Sequence, residues 1–403
     1  MSSFLQFALA LVIIILAAKA GGYISLRLNQ PSVLGELLAG LILGPSVLNF
    51  LNWTPFTDEH LAEGITHLAE IGVLLLMFLA GLELHLSDLA KSGKVSAFAG
   101  TLGVLFPLGM GYLVADLAGF ETQAALFTGL ILAATSVSIS AQTLMELKVL
   151  RTRVGIGLLG AAVFDDILVV LGLSIFVALG AGTAAGLGTI TWIAVRMVLF
   201  LGLGAALGLA ILPRLSRRVN DLPISQGLIA FSLIVILFYS WGAEVFGGMA
   251  AITGAFLAGL ALARSPLKDR IDAGISTMAY SFFVPIFFVN VGLAANAREL
   301  TPESAWLLVI MSIVAVLSKL LGGGLGARLA GFTNLESAQL GAGLISRGEV
   351  GLIVASVGIS AGLIGRDIFS IIVGVVIVTT LLTPLVLRAL FAKNKAQKNG
   401  EDL

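Results

Sequence analysis

Ala161-Ala162-Val163-Phe164-Asp165-Asp166-Ile167-Leu168 places two adjacent carboxylates in the middle of a stretch, residues 154–180, that is otherwise almost wholly apolar. Such a stretch is long enough to cross hydrocarbon, which takes about 20 mostly apolar residues. Composition points the same way: 58% of the 403 residues are hydrophobic and only 11% are charged, against about 25% charged in soluble domains. Too little polar material remains to face water all round, so hydrocarbon is the solvent for much of the chain. Soluble enzymes, disordered linkers and nucleic-acid binders are thereby excluded. The absence of cysteine removes disulfide, thiolate-metal and thiol-redox chemistry. Acidic and basic residues balance at 23 each, so only their placement is informative.

Outward from the Asp pair, the same template finds thirteen candidate spans between residues 4 and 390, joined by short connections. The expected fold is therefore an all-α polytopic membrane protein of about 13 transmembrane helices. One membrane domain covers 1–392, and a short basic cytoplasmic tail covers 393–403. Seventeen Lys and Arg fall in loops on one side, and only Arg298 and Arg366 on the other. Cytoplasmic loops hold the excess of cations, which puts the N-terminus outside and the C-terminus inside. The remaining four, Lys19, Arg196, Lys319 and Arg347, lie within spans.

An internal repeat accompanies this pattern. Val33-Leu34-Gly35-Glu36-Leu37-Leu38-Ala39-Gly40-Leu41-Ile42-Leu43 in span 2 matches Ile252-Thr253-Gly254-Ala255-Phe256-Leu257-Ala258-Gly259-Leu260-Ala261-Leu262 in span 9, and Gly81-Leu82 with Asp88-Leu89 is echoed by Gly292-Leu293 with Glu299-Leu300. Spans 2 and 9 are seven apart, and an odd separation inverts one copy relative to the other. Inverted repeats, here about 1–181 and 225–391 with 188–213 as a linker helix, are the signature of secondary transporters.

Charges at mid-membrane depth are costly enough that each needs a partner or a task. A carboxylate at Asp165 or Asp166 can carry a proton or a hard cation, but not both together. Adjacent helical residues point about 100° apart, so the two side chains face different partners. Lys319, before Gly322-Gly323-Gly324 in span 11, is the natural counter-ion, either as a permanent salt bridge or as a proton carrier. Ala133-Ala134-Thr135-Ser136-Val137-Ser138-Ile139-Ser140 in span 5 and Gly341-Ala342-Gly343-Leu344-Ile345-Ser346-Arg347-Gly348-Glu349-Val350-Gly351 in span 12 are candidate helix breaks, which can expose carbonyls to a cation. Arg347 and Glu349 are placed to offset the dipoles of the half-helices. Glu36, Glu70, Glu83 and Asn290 are further polar residues inside spans, Pro285 should kink span 10, and His60, His67 and His85 lack metal-ligand spacing.

Taken together, Asn29-Gln30-Pro31-Ser32-Val33-Leu34-Gly35-Glu36, Phe78-Leu79-Ala80-Gly81-Leu82-Glu83, Ala134-Thr135-Ser136-Val137, Asp165-Asp166, Lys319 and Ser346-Arg347-Gly348-Glu349-Val350-Gly351 resemble the monovalent cation:proton antiporters. The likeness is to the superfamily branch of sodium/proton exchangers and Kef-type relatives. It implies crossed discontinuous helices, a core domain beside a dimerisation domain, and a homodimer in the lipid bilayer, expected to be a prokaryotic inner membrane. It further implies that Asp166 binds the transported cation with Asp165, that Asp165 pairs with Lys319, and that Thr135 and Ser136 cross Ser346, Arg347 and Glu349. Asp165-Asp166 stands where Kef members carry Gln-Asp, and the short tail replaces their nucleotide-sensing domain. Both departures favour an unregulated sodium/proton exchanger over potassium efflux. No cofactor and no enzymatic activity are expected; the transported ions are Na+ and H+, with Li+ or K+ as alternates. An intramembrane aspartyl protease would need its two aspartates on facing helices, a channel would need a continuous pore, and an organic-anion symporter would need a more polar cavity.

Overall fold

The computed structural model describes residues 1–28, 30–83, 92–180, 187–294, 298, 302–360 and 362–401; among these, the side chains of 349 and 393–401 lie outside the description, as do those of several residues in 174–190, 302–304, 353–360 and 366–367. Every regular element among the described residues is helical. Among the described residues ten helical stretches are long and apolar enough to cross a membrane. In chain order the helices are α1 (Ser3–Arg27), α2 (Ser32–Leu43), α3 (Leu61–Leu82), α4 (Gly93–Leu117), α5 (Thr122–Ala133), α6 (Val137–Glu146), α7 (Arg153–Gly180) and α8 (Leu187–Asn220). There follow α9 (Gly227–Gly242), α10 (Ala251–Leu262), α11 (Lys268–Met278), α12 (Val284–Leu293), α13 (Pro302–Leu329), α14 (Asn334–Gly343), α15 (Glu349–Ser360) and α16 (Arg366–Glu401).

Several expected spans take a different form. Spans 2 and 9 are the 12-residue helices α2 and α10. Spans 5 and 12 are each two short helices, α5 with α6 and α14 with α15. The expected tail continues α16 as helix to Glu401, although its side chains lie outside the described residues. In span 10 the expected kink is a π-helical turn, Ala279–Phe283, just before Pro285. Proline supplies no N–H to the carbonyl four residues back and its ring crowds that carbonyl, so the helix widens there. Glu70 is not buried: it stands exposed beside His67 at 3.3 Å. Asn29, His85, Asp88-Leu89 and Glu299-Leu300 fall outside the described residues.

The chain divides into two compact units, each drawing on both halves of the sequence. One comprises Met1–Ala18, Leu51–Lys91 and Gly186–Asn290. Within it α3 crosses α10 at paired small residues: a Cβ on Gly81 would strike the Phe256 carbonyl and come 3.0 Å from the Leu260 amide nitrogen, and one on Gly259 would come 2.8 Å from the Leu82 amide nitrogen. Lipid offers helices no hydrophobic reason to associate, so backbone-to-backbone approach at glycine supplies the packing energy. In the same unit Tyr239 on α9 donates to the Gly204 carbonyl of α8 at 3.0 Å.

The second unit comprises Lys19–Phe50, Ser92–Ala185 and Val291–Leu403. Here Gly292 of α12 lies against Gly40 and the amide nitrogen of Leu41 in α2, a Cβ at Gly292 falling 2.7 Å from the Gly40 Cα. In the sequence match Leu41 aligns with Leu260 and Gly81 with Gly292, so the two aligned glycines each approach the aligned leucine's amide nitrogen. The glycine run after Lys319 brings α13 onto its neighbours: a Cβ on Gly322 would strike the Leu102 carbonyl of α4, and one on Gly323 would come 2.6 Å from Leu344. Gly100 of α4 likewise lets Ala161 and Phe164 of α7 approach. At the end of α6, the Glu146 carboxylate accepts from the Ser32 N–H at 2.7 Å, the Ser32 hydroxyl at 2.5 Å and Gln142 at 2.9 Å. A carboxylate at the first turn of α2 suits the positive end of that helix.

Gly81→Val and Gly292→Val should each cost about 1–3 kcal/mol through overpacking, seen as a lower melting temperature of the purified protein in detergent. Gly202, with nothing within 4 Å of its Cβ position, should accept valine with little change, and equal losses at all three positions would argue against the close-approach contacts.

Candidate ion site at the helix crossing

The two broken spans meet at their breaks. After Ala133 the chain turns extended at Ala134 (φ −59°, ψ 138°) and Ser136 (φ −92°, ψ 109°) before α6 begins. Serine and threonine hydroxyls compete with helical hydrogen bonding, and four of them fall between Thr135 and Ser140. On the other side α14 starts with a capping box, Thr333 accepting from the Glu336 N–H while Glu336 accepts from that of Thr333. It stops at Gly343, ahead of the irregular stretch 344–348. The Ser136 N–H donates to the Ser346 carbonyl at 2.8 Å, and Ser140 donates to the Gly343 carbonyl at 2.6 Å. Gly348 has no side chain where a Cβ would sit 2.7 Å from the Ser136 hydroxyl.

A broken helix leaves carbonyls without partners at its C-terminal end, and this end also carries partial negative charge. Two buried cations meet that need at α5. Arg347 donates through Nη2 and Nε to the Leu132 carbonyl at 2.8 and 3.2 Å, and through Nη1 to that of Ile345. Lys319 Nζ donates to the Ala133 carbonyl at 2.7 Å and to Asp165 Oδ2 at 2.8 Å. Thr135 donates to the same carboxylate oxygen. Lys319 is 0% exposed, Asp165 and Arg347 1%, so water contributes nothing to screening this cluster. Oδ1 of Asp165 makes no hydrogen bond, and Asp166, the next residue on α7, is 5% exposed.

Of the residues singled out from sequence, Asp165, Lys319 and Thr135 are in direct contact, and Ser136, Ser346 and Arg347 form the crossing. Asp166 neighbours them along α7. Glu349 begins α15 and its side chain lies outside the described residues. Carbonyls of the breaks at 132, 133, 343, 345 and 346 accept from Arg347, Lys319, Ser140 or Ser136, so much of the expected carbonyl supply is already engaged. Glu36 is buried on α2. Among the described residues no group of three His, Cys, Asp or Glu could hold a metal ion.

Sequence reasoning passed over Thr379 and Thr380 of α16. Thr380 donates to the Arg347 carbonyl at 2.5 Å, and the Arg347 N–H donates to Thr379 at 3.3 Å. The available signal was Thr379-Thr380 with Thr383 inside the apolar run of span 13.

Comparison with known proteins bears on the family and the fold. The sequence profile of the family described as "Sodium/hydrogen exchanger, transmembrane" matches residues 9–393. The Na(+)/H(+)-K(+) antiporter GerN of Bacillus cereus is 39% identical over 398 residues, covering 98% of each chain. The Na(+)/H(+) antiporter of Enterococcus hirae is 36% identical over 384 residues, covering 95% of this chain and 98% of its own. Among solved structures, the sodium proton antiporter MjNhaP1 of Methanocaldococcus jannaschii at pH 8 has a TM-score of 0.68 at 19% identity, covering 96% of each chain. The electron-microscopy structure of the same antiporter has a TM-score of 0.72 at 18% identity, over 99% of this chain and 98% of that one. At such identity these two structures speak to the fold.

Removing one member of a buried ion pair strands the other's charge, at a cost of about 3–5 kcal/mol. Lys319→Met should therefore markedly lower the melting temperature in detergent, and the double variant Asp165→Asn with Lys319→Met should recover most of the loss. A double variant no more stable than the single one would show that the two groups are not energetically coupled.

Proposed function

The chain belongs to the sodium/hydrogen exchanger family, and from that premise we propose that it exchanges a monovalent cation, sodium first, for protons across the plasma membrane. The observation that carries the site assignment is the Asp165–Lys319 contact at 2.8 Å beside Asp166, at the point where two helix breaks cross. Asp166, with Asp165 Oδ1, holds either one dehydrated cation or protons. Competition for the same carboxylates is the coupling, because neither oxygen can carry both. Lys319 shares Asp165 with the cation and releases its proton when the cation arrives, which makes exchange of two protons for one sodium ion electrogenic. Arg347, Ser136 and Ser346 hold the crossing, and Glu349 is assigned with them from the sequence.

Alternating access proceeds by an elevator-like movement of the broken helices. The matched contacts Gly81 with Leu260 and Gly292 with Leu41 support inverted repeats at about 1–181 and 225–391, with 188–213 as a linker. Seventeen loop cations against two support an N-terminus outside and a basic cytoplasmic tail at 393–403, with thirteen membrane passages in between. The protein works in the lipid bilayer as a homodimer, without a cofactor and without enzymatic chemistry. Potassium is the second candidate cation, since the relative in Bacillus cereus is named for Na+, H+ and K+.

In proteoliposomes a jump in external sodium should drive proton movement, and lowering the pH should raise the apparent sodium KM without raising the maximal rate. Asp166→Asn should abolish exchange, and full activity in that variant would sink the assignment. Lys319→Gln should reduce the response to membrane voltage more than it reduces exchange; an unchanged voltage response would make Lys319 purely structural. The same assay with lithium and potassium fixes the cation, and flux without proton counter-movement would mean a channel.

A further inference from the structure

A threonine hydroxyl in a membrane helix usually donates its single proton to a carbonyl of its own preceding turn. Two threonines of α16 do so: Thr379 donates to the Val375 carbonyl at 2.8 Å and Thr383 to that of Thr379 at 2.7 Å. Thr380 does not. Its proton goes instead to the carbonyl of Arg347, at 2.5 Å, across to the irregular stretch 344–348. The adjacent Thr379 oxygen receives the N–H of the same residue at 3.3 Å. Both peptide groups flanking the Arg347 Cα are thus held by two neighbouring hydroxyls, each 2% exposed or less. With no water in hydrocarbon to replace them, these bonds set where the Arg347 backbone lies.

That backbone position has consequences further along. The Arg347 guanidinium spans from the Ile345 carbonyl to the Leu132 carbonyl, and the next carbonyl of α5, Ala133, is bound to Lys319. A shift of Arg347 therefore moves the C-terminal end of α5, then Thr135, and with them two of the donors that orient Asp165. We propose that Thr380, assisted by Thr379, is a positioning residue for ion exchange: from α16 it fixes the register of the 344–348 break and, through Arg347, the geometry of the Asp165–Lys319 site. This rests on the reading of Asp165 and Asp166 as the exchange site.

Thr380→Val removes the proton and keeps the shape. Its apparent sodium KM in proteoliposomes should rise about tenfold, the effect of losing one buried hydrogen bond, while turnover at saturating sodium stays within about threefold. Thr380→Ser should restore the wild-type KM, and Thr383→Val, equally buried but bonded only within α16, should leave it unchanged. Sodium-dependent stabilisation of the purified protein, which needs no transport, should weaken in parallel. On an Arg347→Lys background Thr380→Val should add less than about twofold to the loss of sodium-dependent stabilisation, because the two residues act as one unit. If Thr380→Val yields no folded protein, Thr379→Val carries the same test with an expected threefold rise in KM. A wild-type KM in the valine variants, a loss confined to turnover, or additivity with Arg347→Lys would overturn the proposal. Absence of sodium/proton exchange in the wild-type protein would overturn the proposed function instead.

Discussion

Hydrocarbon offers no hydrogen bonds, so every carbonyl freed by breaking a membrane helix must find a partner within the protein. The fold of the second unit depends on how this demand is met. Two cations, Arg347 and Lys319, reach successive carbonyls at the end of α5, where the helix end is also negatively polarised. Without them the breaks would carry unsatisfied polar groups, and α5 with α6 would be driven toward a continuous helix. The cations in turn have to be compensated, and Asp165 compensates Lys319. Break, cation and carboxylate thus require one another.

The same demand explains why the surrounding helices are rich in glycine and threonine. Lysine can reach both Ala133 and Asp165 only if α13 lies close to α4 and α14, and Gly322 and Gly323 permit that approach. The threonines of α16 engage the main chain of Arg347 from the other side. Small residues supply proximity and hydroxyls supply the missing donors, and both are cheap to place in lipid because neither carries a charge.

Much of this was legible beforehand. Charges inside apolar spans are conspicuous because hydrocarbon penalises them, so Asp165, Asp166, Lys319 and Arg347 identified themselves. The clustering of hydroxyls and glycines located both breaks to within a few residues. Less legible were the residues whose work is done by ordinary hydroxyls and by backbone. Thr380 and Thr383 stand in the same apolar run, and only Thr380 reaches outside its own helix. Glu70 lies inside its expected span but stands exposed near the middle of α3, because a window average does not resolve which face of the helix a residue occupies. The 12-residue length of α2 was overlooked, although Gly44-Pro45-Ser46 just beyond Leu43 is a helix-ending sequence.

The sequence by itself determined the solvent, the all-helical class, the breaks and the identity of the buried charges, because each of these follows from local composition or short-range spacing; the family came from the resemblance of its motifs. Only the tertiary structure decided which partner each charge takes. Lys319 and Asp165 are 154 residues apart, and Arg347 and Leu132 are separated by 215. No periodicity encodes contacts over such distances. They are set by which helices can approach closely, and that depends on the glycine contacts of the whole bundle acting at once.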